Sequence, residues 1–304
     1  MTLGEFVALC VSRLAPLYPE PEAKAMAFRL LEHFLEIPSY KYISDPDLVL
    51  NAPFRSDIAS GPQINAVQTQ YHPLNSASSN DIVAALEDLS TGRPLQYVLG
   101  FTEFCGHRFR VGEGCLIPRP ETEEMVSRII DDLSGTEIGE EPFNILDLCT
   151  GSGCIAWSLA AEFREAMVYG CDISDAALRH ACRQRIKVRG AKPVFFSADI
   201  LSAPPAGLPK FDVMVSNPPY ICESERSAMR PNVLDFEPAE ALFVPDEDPL
   251  KFYRAVARWA EALLRPDGHV YLEINERFGS ETAALFPGSR LEKDLSGRDR
   301  FVIR

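Results

Sequence analysis

Four short apolar runs, each giving way to a polar group, constrain this chain more than any other feature. They are Asn144–Leu148, Met167–Cys171, Pro193–Ser197 and Phe211–Ser216. Runs of this length, spaced by stretches of helical period, read as buried parallel strands joined by crossover helices. The first passes into Cys149-Thr150-Gly151-Ser152-Gly153 and the helical stretch Ile155–Ala160. The second ends in Asp172, the third precedes Asp199 and Ile200, and the fourth hands over to Asn217-Pro218-Pro219-Tyr220. Open α/β sheets bind ligands outside the carboxyl ends of their strands, so polar features in that one position predict one composite site.

The Asn217–Tyr220 group suits a planar NH2. Prolines lack an N–H and fix their own φ, which leaves rigid, free carbonyl oxygens beside the Asn217 amide oxygen and the Tyr220 ring. Two acceptors can take the hydrogens of an amino or amide nitrogen while the ring stacks on its π system, turning the lone pair toward an electrophile. Upstream, glycines let the backbone approach a ligand closely, and a helix N-terminus offers free N–H groups and a positive dipole end. Gly-x-Gly alone also serves plain turn geometry, and a lone acid at a strand end is commonly just solvated. Asp172, about 20 residues on, stands where an acid accepts both hydroxyls of a ribose. A dinucleotide fits poorly, because the turn lacks the third glycine of Gly-x-Gly-x-x-Gly and holds no basic residue. Adenosine joined to an amino acid fits better. In S-adenosylmethionine the glycine turn, Cys149 to Gly153, would face the methionine part, Asp172 the ribose, and Asp199 with Ile200 the adenine, with the sulfonium methyl aimed at the fourth run.

These residues resemble the Rossmann-like S-adenosylmethionine-dependent methyltransferases that act on amino or amide nitrogens. Three further stretches are similar to the PrmC (HemK) family, the peptide-chain release factor glutamine N5-methyltransferases: Gly92–Gly100 with Glu103-Phe104, Leu116–Glu123 (Leu-Ile-Pro-Arg-Pro-Glu-Thr-Glu), and Asp294–Arg300. The resemblance is strong over the last two thirds of the chain and confined to helical character in the first. It implies a transferase that methylates the glutamine of the Gly-Gly-Gln motif in bacterial class I release factors during translation termination, the substrate loop entering a cleft between two domains. It also implies that Asn217, Pro218 and Tyr220 carry the reaction, that Asn217 contacts the cofactor as well, and that Pro219, Arg119 and Leu116 join them in holding substrate. Leu116 stands where some relatives have an aromatic. Arg119, between two prolines, orders either the cofactor carboxylate or the active-site loop. Cys149 replaces a usual glycine; a Cβ makes left-handed backbone costly, so either the position is ordinary in φ, which is the expectation here, or the cofactor contact is slightly altered. Asn-Pro-Pro-Tyr by itself equally suits a nucleic-acid amino-methyltransferase acting on adenine N6 or guanine N2, and a cofactor-binding but inactive interaction protein is the third reading. Glu121 and Glu123 either meet substrate or cap the helix that follows.

A formal net charge of −14 speaks against stable nucleic-acid binding, which needs a basic footprint. The segment Cys222–Asp248 is acid-rich with only Arg226 and Arg230 as counterparts, and suits a basic protein partner. The eight cysteines show no Cys-x-x-Cys spacing, so no metal is expected and the thiols read as buried and reduced. No basic leader or membrane-length apolar run is visible, and a cytoplasmic protein with no membrane partner is expected.

The expected organisation is an α/β chain: residues 1–91 a helical substrate-recognition domain, 92–118 a β-hairpin linker, and 119–304 a Rossmann-like methyltransferase domain. Helices are expected at Leu3–Leu17, Pro21–Leu35, Asn80–Leu89, Thr122–Leu133, Pro249–Leu264 and Ser280–Leu285. Ser56–Ser79 reads as a loop or insertion and Thr136–Glu141 as an acidic turn. Gly268–Ile274 is the fifth strand, and Leu291–Asp294 with Phe301–Ile303 an antiparallel pair closing a seven-stranded mixed sheet with helices on both faces.

Overall fold

The computed structural model describes residues 1–50, 79–136 and 142–304, with residues 79–81 in backbone only. The expectations for Ser56–Ser79 and Thr136–Glu141 fall almost wholly outside these residues. The described residues form two compact units, Met1–Leu99 and Gly100–Arg304.

The first unit is helical. It contains α1 (Leu3–Leu14), α2 (Glu20–Leu35), α3 (Lys41–Ser44), α4 (Ser79–Ser90) and α5 (Leu95–Leu99). Leu3, Phe6, Val7, Cys10 and Leu14 form the buried stripe of α1; Leu30 and Leu31 of α2 and Ile82, Leu86 and Leu89 of α4 are buried too, and the three helices pack on one another. Thr2 and Glu5 close a capping box at the start of α1, each side chain taking the other's backbone N–H. The helix stops at Leu14 rather than Leu17, because Pro16 has no N–H to continue the ladder. The expected hairpin linker at 92–118 is helical in its first part: Pro94 opens the helical turn α5, with the Tyr97 and Val98 N–H groups donating to its carbonyl.

The hairpin is confined to β1 (Phe101–Phe104) and β2 (His107–Arg110), in the second unit. Its turn, Cys105-Gly106, has φ of 47° and 70°, the doubly positive pattern of a type I′ connection. Then come α6 (Pro120–Leu133), β3 (Phe143–Leu148), α7 (Cys154–Glu162), β4 (Ala166–Asp172), α8 (Asp175–Cys182), β5 (Val194–Ser197), β6 (Phe211–Ser216), β7 (Ile221–Cys222), α9 (Pro231–Leu234), β8 (Phe243–Val244), α10 (Lys251–Leu263), β9 (Leu264–Glu273), α11 (Gly279–Ala284), β10 (Arg290–Lys293) and β11 (Asp299–Ile303).

Seven strands form one sheet in the order β10-β11-β9-β6-β3-β4-β5, with β11 antiparallel to both its neighbours. The sheet is mixed and has helices on both faces, as expected. Alternate residues of the central strands sort to opposite sides. Ile145, Val213, Val215, Tyr271 and Phe301 pack with α6 and α7, whereas Leu146, Leu148, Met214, Val270, Leu272 and Val302 pack with α10. Strand order reverses beside β3: the chain goes to β4 and β5 on one side, then returns to place β6 on the other. The glycine turn and the Asn217 group therefore leave adjacent parallel strands, with Leu148 opposite Ser216.

Candidate active site

The turn after β3 is built from backbone. Gly151 and Gly153 have φ of 55° and 78°, and Gly153 caps α7 in a left-handed conformation. A Cβ on Gly153 would come within 3.0 Å of Trp157 and Ala181, so that glycine is required by packing. A Cβ on Gly151 would meet nothing nearer than the Cys149 carbonyl at 4.0 Å, so the turn has open space at its crest. Cys149 corrects the expectation above: its φ is 58°, in the left-handed region that disfavours a Cβ. The next residue pins it there, the Thr150 N–H donating to the Cys171 carbonyl on β4 at 2.9 Å. Burial pushes the Cys149 thiol well up, so it stays protonated.

Asp172 ends β4 beside this turn. One of its oxygens accepts the Gly151 N–H and the other the Ser174 N–H, both at 2.9 Å. Each oxygen keeps further acceptor capacity for a hydroxyl. Burial raises this carboxyl from its ordinary value, against the pull of those N–H groups. Asp199 is spent partly on its own turn, accepting the Leu201 N–H at 2.8 Å, and the Ile200 side chain lies in the core. Two polar side chains outside the expected site residues complete the turn. Asp147, wholly buried, accepts from the Thr150 hydroxyl at 2.5 Å and the Ala156 N–H at 3.2 Å, and burial pushes it up to about 7. Gln184 donates to the Ser152 carbonyl and exchanges two hydrogen bonds with the Arg110 backbone, clipping the turn to β2.

The group after β6 is built from side chains. Pro218 and Pro219 are buried, while Asn217 and Tyr220 are half-buried. Asn217 Nδ2 donates to Thr122 Oγ1 at 2.9 Å, and Thr122 Oγ1 donates to Glu273 Oε2 at 2.6 Å. The Tyr220 hydroxyl donates to Glu273 Oε1 at 2.9 Å, which fixes the ring. Burial raises the Glu273 carboxyl, with the two hydroxyls and Arg300 pulling the other way. Among the described residues no donor reaches Asn217 Oδ1 or the Pro218 carbonyl. Two acceptors on consecutive residues, neither taken up by a protein donor among the described residues, are the equipment that a planar NH2 requires.

The stretch Leu116–Glu123 reaches this group through α6. Thr122 lies on the same helical stripe as Met125, Val126, Ile129 and Leu133, so its hydroxyl faces the sheet. Arg119 pairs with Glu237 at 2.6 Å, and the other Glu237 oxygen accepts the Ile117 N–H at 3.0 Å. Of the two roles expected for Arg119, ordering the loop between β7 and β8 is the one its contact serves. Leu116 is half-buried between buried Cys115 and Ile117. Glu123 neither caps α6 nor stands free; it accepts the Cys105 N–H at the hairpin turn. The acids of Cys222–Asp248 are mostly internal staples: Glu223 to Arg226, Glu225 to the Cys222 N–H and Asn275, Asp246 to Ser224, and Asp248 to Arg254. Asp235, Glu240 and Glu247 remain exposed.

A buried parallel strand normally reads as an unbroken apolar run, and a carboxylate inside one must find partners. Asp147 in Ile-Leu-Asp-Leu and Glu273 in Val-Tyr-Leu-Glu-Ile both carried that signal.

Residues 134–234 match the methyltransferase small domain. The release factor glutamine methyltransferase of Bacteroides thetaiotaomicron is 35% identical over 305 residues, covering 99% of each chain. The release factor glutamine methyltransferase of Flavobacterium psychrophilum is 36% identical, over 99% of this chain and 98% of its own. Among solved structures, TrmN from Thermus thermophilus is 22% identical with a TM-score of 0.41, covering 59% of this chain and 47% of that one.

Proposed function

The chain belongs to the release factor glutamine methyltransferases, and from that membership we propose that it methylates the side-chain nitrogen, N5, of the glutamine in the Gly-Gly-Gln motif of bacterial class I release factors. The cofactor is S-adenosylmethionine, which when bound supplies a methyl carbon activated by a sulfonium. The residues present suit it: open space over Gly151, a helix N-terminus at Gly153, and an Asp172 carboxylate with acceptor capacity left on both oxygens. Cys149 to Gly153 would hold the amino-acid part, Asp172 the ribose, and Asp199 with the backbone at Ile200 the base.

An amide nitrogen is a feeble nucleophile because its lone pair is delocalised into the carbonyl. Asn217 Oδ1 and the Pro218 carbonyl accept its two hydrogens, Pro219 holds that carbonyl rigid, and Tyr220 lies against the amide plane. This grip orients the nitrogen and favours lone-pair density on it as the new N–C bond forms, while the methyl carbon's bond to sulfur would break with its electron pair staying on sulfur as a neutral thioether. The methylated nitrogen is acidic and gives up one hydrogen as a proton to solvent, so no residue has to remove a proton beforehand. Tyr220 stays a phenol, since burial and Glu273 hold its hydroxyl well above the ordinary tyrosine range. Arg119 and Leu116 shape the approach to this group.

In this reading residues 1–91 recognise the large protein substrate, 92–118 connect, and 119–304 carry the chemistry. The activity belongs to translation termination in the cytoplasm. Among the described residues no helix is long and apolar enough to cross a membrane. The nucleic-acid alternative is disfavoured, because the Bacteroides and Flavobacterium relatives that span nearly the whole chain are release factor glutamine methyltransferases.

The pair of unsatisfied acceptors at Asn217 and Pro218 is the observation that carries the reading. Its test offers a release factor and total nucleic acid side by side with methyl-labelled cofactor. Label should enter the release factor alone, and Asn217→Ala should lose about 100-fold or more in kcat/KM, with a much smaller loss of cofactor affinity. Label in nucleic acid, or an Asn217→Ala enzyme of wild-type rate, would refute it.

A further inference from the structure

An amide side chain has two ends of nearly the same shape, so sterics alone cannot decide which end of Asn217 faces the substrate. The partners behind it can. Glu273 lies at the end of β9, 1% exposed, with the Thr122 hydroxyl on one oxygen at 2.6 Å and the Tyr220 hydroxyl on the other at 2.9 Å. An ionised carboxylate only accepts, so both hydroxyl protons must point to it. Thr122 then turns a lone pair to Asn217, and only Nδ2 can answer it, at 2.9 Å. The amide oxygen is left on the far side.

Resting on the function proposed above, we propose that Glu273 and Thr122 are positioning residues, a hydrogen-bond relay that holds the Asn217 amide oxygen toward the substrate nitrogen. Neither touches a reacting atom. If Glu273 takes up a proton, it can donate to Thr122, whose own proton is then free to point at Asn217. The amide turns over, and an NH2 donor replaces the acceptor that the substrate hydrogens need.

The charged and titratable groups around Glu273 set when this happens. Burial raises the Glu273 carboxyl and Glu121 of α6 adds to the rise, while the Thr122 and Tyr220 hydroxyls and Arg300 of β11 oppose it. Tyr253 of α10 faces it too, as a phenol, its own hydroxyl accepting the Asn275 N–H. Arg300 is held by Asp294 at 3.1 Å and donates to the Ile274 carbonyl at 3.3 Å. Residues from Leu116–Glu123, from Asn217–Tyr220 and from Asp294–Arg300 thus converge on one carboxylate that none of those stretches contains.

The test compares wild type, Thr122→Val, Thr122→Ser and Glu273→Gln in methyl transfer to a release factor between pH 5.5 and 8.5, with cofactor affinity measured on each. In parallel, the nitrogen resonance of the Asn217 side-chain amide is followed over the same range. Thr122→Val should lose about 30- to 100-fold in kcat with cofactor affinity within about twofold, and Thr122→Ser should recover to within about threefold of wild type. Wild-type kcat should fall toward acid pH with a midpoint above the ordinary glutamate range, the Asn217 resonance should move with that midpoint, and both effects should vanish in Glu273→Gln. Should Glu273→Gln not fold, Thr122→Val and the wild-type titration decide. The relay is overturned by Thr122→Val at wild-type kcat, by a folded Thr122→Ser as poor as Thr122→Val, or by an Asn217 resonance that ignores pH. A wild type that labels no release factor while its Asn217 resonance titrates as described would refute the substrate and leave the relay standing.

Discussion

The loops after β3 and β6 leave neighbouring strands at the same end of the sheet, yet they are made in opposite ways. The Cys149–Gly153 turn is backbone held by nearby residues: positive φ at three positions and N–H groups fixed by Asp172 and Cys171. The Asn217–Tyr220 group is side chains held by remote ones, Thr122 lying 95 residues away from Asn217 and Glu273 lying 53 residues from Tyr220. A site that must accept one invariant cofactor can be written in local backbone geometry. A site that must present one acceptor pair in one orientation needs partners drawn from across the chain.

That contrast can be broken by mutation. Gly153→Ala should do the most damage, forcing a Cβ to within 3.0 Å of Trp157 and Ala181 at a φ of 78°. It should cost about 2–3 kcal/mol in urea unfolding and raise the cofactor Kd more than tenfold. Equal cofactor affinity in the variant would mean that the turn is not where the cofactor sits. Tyr220→Phe should show the reverse pattern, about a tenfold loss in kcat from an unfixed ring and an unpaired Glu273 oxygen, with cofactor affinity retained. A change in cofactor Kd there as large as that in kcat would erase the distinction.

Asp147 sharpens the comparison by pH. Its carboxyl is pushed up to about 7, above the value of about 3.9 in an unfolded chain. The proton is therefore bound more tightly by the folded state. The stability this confers is fully present below about pH 4 and is lost as pH rises to and through about 7. Urea unfolding should accordingly show wild type losing stability relative to Asp147→Asn between pH 5 and 8; parallel profiles would refute the assignment. Cys149→Gly is the smallest effect, a stabilisation of under about 1 kcal/mol, because relief of the left-handed Cβ is largely offset by the added freedom of glycine in the unfolded chain. Destabilisation beyond about 1 kcal/mol in thermal or urea unfolding would show that the thiol side chain contributes packing that outweighs its backbone strain.

The same contrast explains what could be read in advance. Strand ends, the glycine turn, Asp172 and Asn217–Tyr220 all announce themselves within a few residues, and the sheet follows from the order of the runs. The Thr122–Glu273 bond joins residues 151 positions apart, and no local period encodes it. What the sequence does contain is an anomaly: a carboxylate in a central strand and a threonine on an otherwise apolar helical stripe. The left-handed Cys149 is a different kind of miss, since the side chain there misstates a conformation that its neighbours enforce. The short helix α5 lies within the stretch expected as a hairpin linker, where Pro94 starts a helical turn instead.

The pairing of Leu148 with Ser216 has one last consequence. Because hydrogen-bonded strands lie about 4.8 Å apart, the two jaws of this molecule are mounted on a ruler of fixed pitch. Surface insertions can redecorate either jaw, but the gap between them is a property of the ladder itself, so a lineage can exchange one acceptor for another without resetting the distance its donor must cross.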